Sequence, residues 1–167
     1  MFYKEFLRQS VYRISLNYPR IRTCIDMLSD EEIWHRPNQS SNSVGNLVLH
    51  LCGNMTQYII SALGENEDKR ERDSEFSARE GYTAAELLDK MKTVNDECIN
   101  MINGLDEKKL MREYFIQGGS MSGIGAVVHI TEHYSYHTGQ IVYLTKALKD
   151  TDTGFYKGAD LNAKNKQ

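Results

Sequence analysis

Cysteine is scarce in this chain. The three present, Cys24, Cys52 and Cys98, stand far apart and form no C-x-x-C pair, which excludes a disulfide framework and a thiolate metal knuckle. They read as buried thiols of a reducing compartment. There is also no run of Lys and Arg, and the formal net charge is -3, so the electrostatic footprint of a non-specific nucleic-acid binder is missing. No segment approaches the roughly 18 consecutive apolar residues of a membrane span. The opening MFYKEFLRQS carries an acid and lacks an apolar signal core. Neither nucleic acid nor membrane is expected as a partner, and the cytoplasm is the expected location. With 40% hydrophobic and 26% charged residues, disorder and fibrous structure are both disfavoured, and 167 residues are enough for one domain with a continuous core.

What the chain does have is helical periodicity. Leu7, Val11, Ile14, Tyr18, Ile21, Ile25 and Leu28 alternate steps of four and three and predict one buried stripe, kinked near Tyr18 by Pro19. A polar linker follows over 29–41, read as a loop containing Trp34, His35, Arg36 and Pro37. Ser43 is a good N-cap for a second helix that Gly64 ends, with Leu47, Leu51, Met55 and Tyr58 on its apolar face. Beside that face runs a polar line, Asn46, His50, Asn54 and Gln57, which an ordinary buried helix has no use for. The stretch ENEDKRERDSE, with charges of alternating sign, reads as a long solvated connection without a function.

Thr83 and Glu86 form a capping box for a third helix, whose stripe is Leu87, Met91, Val94, Cys98, Met101 and Leu105. A short turn at LDEKKL, an aromatic patch at Tyr114 and Phe115, and a loop QGGSMSG then lead to an N-cap at Ser120 or Ser122. The last helix runs to about Lys149, with Val127, Ile130, Tyr134, Ile141, Leu144 and Leu148 inward and His137 in the same register. Without alternating strand runs or internal repeats, the expected class is all-α, a four-helix bundle over 1–149. Residues 150–167 are expected to form a loose tail, from which Phe155 and Tyr156 could pack back.

Three of the five histidines lie in HITEHYSYH, at 129, 133 and 137. Residues four apart share a helix face, so His129/His133 and His133/His137 are two possible imidazole pairs for one ion. The outer two are about 12 Å apart along the axis, so one of the three is expected not to be a ligand. Three ionisable rings on an inward face crowd the core unless something there uses them, and a facing helix carrying His50 is where a bundle supplies a third ligand.

The phrases SSNSVGNLVLHLCGN and HITEHYSYHTGQI resemble the two signatures of the DinB-like superfamily. LSDEEIWHRP ahead of the first resembles the usual approach to that helix, so the likeness spans about residues 1 to 149. The resemblance implies a four-helix bundle in which His50, His133 and His137 bind a divalent metal, with His129 a neighbour. It leaves His129, Gln140, Asn46, Asn54 and Gln57 as candidates for a supporting shell or pocket. Where the superfamily often has a basic residue before the Gly-Gln pair, this chain has Thr138, which puts any charge-recognising role at that position in doubt.

Three neutral imidazoles suit zinc or nickel, with iron or manganese as alternatives. They leave a coordination position open, as catalytic sites do. Members of the superfamily include transferases of low-molecular-weight thiols, so the resemblance implies transfer of such a thiol to a small electrophile, and homodimerisation. No Cys neighbours the histidines in sequence, so the thiol would come from a cosubstrate. The alternatives are a non-catalytic metal or small-molecule binding module and a metal-dependent hydrolase. Trp34, Tyr114 and Phe115 are read as packing aromatics before roof residues.

Overall fold

The computed structural model describes residues 1–165 as a mostly helical chain with one small two-stranded sheet. The first stripe is divided between α1 (Phe2–Ser15) and α2 (Asn17–Asp26). Pro19 cannot donate to the carbonyl four residues back, and the break falls at Leu16, slightly ahead of the expected Tyr18. Ile14, Ile21 and Ile25 are fully buried as their spacing requires.

The linker is not all loop, because Ser29 and Glu32 make a reciprocal capping box for a short helix, α3 (Asp30–Trp34). Trp34 lies against Gly45, where a Cβ would collide with the indole, and donates its Nε1–H to the carbonyl of Tyr82 at 3.0 Å. α4 (Val44–Met55) starts at Ser43, whose hydroxyl accepts from the N–H of Asn46 while Asn46 Oδ1 accepts from the N–H of Ser43. Every residue of α4 except Gly53 is buried, so this is the central element. It passes into a π-helical segment, Thr56–Leu63, a wider winding frequently found at functional sites.

The connection after it holds a short helix, α5 (Arg72–Ser77). The Thr83–Glu86 box then opens α6 (Ala84–Asn103), and LDEKKL is a turn of helix, α7 (Glu107–Met111), capped by Asp106. The loop expected after it is an antiparallel hairpin, β1 (Glu113–Ile116) with β2 (Gly119–Ser122). Gln117 and Gly118 occupy its turn at φ 49 and 82, the left-handed pair that a tight hairpin needs and that glycine eases. Four-residue strands are too short to show alternation, which is why the all-α expectation missed them. Ser122 caps α8 (Gly123–Lys149).

α4 packs on α6 and α8, and α1 and α2 also pack on those two helices. Leu51, Met55, Ile59, Leu87, Met91, Ile102, Val127, Ile130, Tyr134 and Ile141 fill the space between them. Phe155 packs against this core, with Arg20 lying over the rings of Phe155 and Tyr156. Among the described residues no helix is long and apolar enough to cross a membrane.

Candidate metal centre

α8 presents His129, His133 and His137 along one face, and α4 brings His50 to meet them. His50 Nε2 lies 3.1 Å from His133 Nε2, and His137 Nε2 lies 3.2 Å from the same atom. One ligand atom from each of His50, His133 and His137 falls within 4.8 Å of the others, a group that could hold a metal ion. Nitrogens bound at about 2.0–2.1 Å in tetrahedral geometry are about 3.3 Å apart. The two shorter edges are therefore already near the spacing such coordination requires. Lone pairs this close repel one another unless a proton or a cation sits between them, which suits a cation site.

The tautomers agree with that fit. His137 Nδ1 donates to Gln140 Oε1 at 2.6 Å, leaving its Nε2 lone pair free. His50 Nδ1 lies 3.0 Å from Glu75 Oε2. A carboxylate can only accept, so a bond to Glu75 puts the proton on Nδ1 and leaves the Nε2 lone pair free. His133 Nδ1 is buried without a partner among the described residues. Burial first, then the neighbouring His137 and His50, push the His133 pKa down to about 3. Burial also lowers those of His137 and His129. These three rings thus stay neutral, the form in which imidazole binds a metal.

The other expected residues have definite places. His129 is not in the three-histidine group. It stacks on His133 at 5.1 Å between centroids and meets Asn54 Nδ2 through Nε2 at 3.3 Å. Asn54 is buried and its Oδ1 has no partner among the described residues. Asn46 and Gln57 face the connection: Asn46 Nδ2 donates to the carbonyls of Glu75 and Ala78, while Gln57 accepts from Arg70 and donates to Asp68. Thr138 turns into the core and donates to the carbonyl of Tyr134. Tyr114 is buried with its hydroxyl on the carbonyl of Lys109, and Phe115 is exposed.

The sequence reading missed Arg70 and Glu75. They belong to the stretch taken as solvated, yet their side chains are only 3% and 8% exposed. Arg70 Nε donates to Glu75 Oε1 and Nη2 to Oε2, both at 2.8 Å, a fork-to-fork pair. Burial raises the Glu75 carboxyl, but the hydrogen bonds from Arg70 and then His50 outweigh it and hold the pKa below its ordinary value. The available signal was Gly53, an isolated glycine inside an apolar helix three residues after His50. A Cβ there would collide with Glu75 Oε1.

The fold is that of DinB-like proteins. A DinB-like protein from Bacillus subtilis superposes with a TM-score of 0.67 at 19% identity, over 86% of this chain and 94% of that one. One from Bacillus cereus gives 0.66 at 18% identity, over 86% and 91%. A conserved protein from Enterococcus faecalis gives 0.74 at 15% identity, over 86% and 97%. The chain belongs to the DinB-like family described as "Protein of unknown function (DUF1572)", whose profile matches residues 2–156. No curated protein matches it.

Proposed function

We propose that this protein is a metal-dependent enzyme that transfers a low-molecular-weight thiol to a small electrophile, using His50, His133 and His137 as the ligands of one divalent ion. The observation that carries the reading is the convergence of the three imidazoles, with two Nε2 to Nε2 separations of 3.1 and 3.2 Å. A divalent ion there would supply Lewis acidity, lowering the pKa of a bound thiol or water. Three protein ligands leave a position open to such a group.

The chain's own thiols support a cosubstrate as the sulfur source. Cys24, Cys52 and Cys98 are all buried, and burial pushes Cys52 and Cys98 up to about 12, far from the thiolate form that attacks electrophiles. In the same reading the long helices α1/α2, α4 with its π-helical extension, α6 and α8 make a four-helix bundle with the ion between two of them.

Purified protein loaded with zinc or nickel, given a thiol and a reactive electrophile, should consume the thiol, and a chelator should stop it. Consumption that survives chelation would overturn the reading. Cleavage of activated esters without thiol consumption would replace it with hydrolysis.

A further inference from the structure

His50 Nδ1 has two neighbours with opposite demands. Glu75 Oε2, at 3.0 Å, can only accept, and Arg70 Nη2, at 3.1 Å, can only donate. An imidazole whose Nδ1 donates to Glu75 points a lone pair from Nε2 toward His133. One whose Nδ1 accepts from Arg70 points a hydrogen there and cannot be a ligand. The outcome at Nδ1 therefore decides whether His50 can bind metal.

We infer that Glu75 is the positioning residue that holds His50 in its ligating form, and that the notch at Gly53 and the strap 68–78 exist to deliver its carboxylate to that ring. The strap is tied down on either side of His50. Asn46 holds the carbonyls of Glu75 and Ala78, and Gln57 holds Arg70 and Asp68. Asn46, His50 and Gln57, three of the four residues in the polar line of the second helix, are thus a docking strip for this segment, while Asn54 meets His129. Arg70 engages Glu75 through both carboxylate oxygens, which orients the carboxylate. Gly53 lets the carboxylate approach the helix, since a side chain there would occupy the place of Oε1. The connection that looked like solvated spacer is in this account the outer half of the metal site.

The inference rests on the three histidines holding an ion, and its test separates the two. Zinc alone is titrated into metal-stripped wild-type protein, Glu75→Gln and Gly53→Ala, with folding checked by circular dichroism. The tautomer of His50 is read from 15N shifts of the imidazole. Glu75→Gln keeps size and a hydrogen-bonding oxygen but removes the charge, and it should weaken zinc binding 10- to 100-fold, the range usual for partners of metal-bound histidines. It should also move the His50 proton away from Nδ1.

Gly53→Ala changes no charge and places a better helix former in α4, so a comparable loss of affinity there reports displacement of Glu75 and not a weakened helix. If Glu75→Gln does not fold, Gly53→Ala decides alone. Wild-type affinity in a folded Glu75→Gln, or in Gly53→Ala with the His50 proton still on Nδ1, overturns the inference while leaving the metal site intact. Wild-type protein that takes up no zinc or other divalent ion overturns both.

Discussion

Tyr58 lies flat against His129, with ring centroids 4.1 Å apart and planes 19° from parallel. The Tyr58 hydroxyl donates to Gln117 at the tip of the hairpin, and His129 also stacks on His133. His129 is thereby a packing partner of His133, held from the π-helical segment and braced by the sheet.

That arrangement separates His129 experimentally from the three proposed ligands. His50→Ala, His133→Ala and His137→Ala should each remove a ligand and greatly weaken metal binding. His129→Ala should keep near-native stoichiometry and lose about 10- to 100-fold in affinity at most. Equilibrium dialysis with metal analysis checks this. Loss of the ion in His129→Ala with retention in His137→Ala would place the site one turn nearer the start of α8.

Metal-free protein should lose stability in acid. The folded pKa of His133 is pushed down to about 3 from an ordinary 6.5, and those of His129 and His137 are also lowered. Between these values the unfolded chain binds more protons than the folded one, so stability rises with pH across that interval and is lost as pH falls through it. The lowered Glu75 acts in the same direction at the acid end. Urea midpoints from neutral pH down to about pH 4 should decline steadily; a flat profile would contradict the neutral, buried histidines.

Arg70 and Glu75 should show the asymmetry of a buried ion pair. Removing one partner, as in Arg70→Met, leaves an uncompensated buried charge and should cost about 3–5 kcal/mol. Arg70→Met combined with Glu75→Leu should cost less than the single change. Urea denaturation of these two variants and of Glu75→Leu alone gives the three values, and strict additivity would show that the two groups do not act together.

Asn46→Ala should cost about 2 kcal/mol, because it removes part of the α4 capping box and two hydrogen bonds to the carbonyls of the strap. Limited proteolysis should then cut within 66–78 faster than in the wild type, while α6 stays protected.

The helices were legible because their stripes are long. Ile14, Ile21 and Ile25, and Leu87, Met91, Cys98 and Leu105, are buried at the spacing the sequence announces, with Asn95 and Ile102 turned further inward than the expected Val94 and Met101, and the Ser43 and Thr83 caps lie where the residue types require. Four-residue spacing put His129, His133 and His137 on one helix face and left two pairs open, and the family resemblance singled out His50, His133 and His137. The hairpin was hidden by its shortness, and α3, α5 and α7 by their five or six residues, which carry less than two turns of periodicity. Glu75 was hidden for a different reason. A buried carboxylate in a charged run looks like its solvated neighbours until the chain has folded and Gly53, far away in sequence, opens a place for it.

The meeting of His50 with His133 spans 83 residues of sequence, half the chain. An ion shared by these rings ties α4 to α8 as a reversible cross-link, closing a loop long enough for the tie to restrict the unfolded chain substantially. At a free ion concentration about 100 times its dissociation constant, the folded form gains about 2.7 kcal/mol. The same three histidines that would equip the site for chemistry would then make the protein's lifetime a function of metal supply, with the depleted chain more open to unfolding and proteolytic turnover.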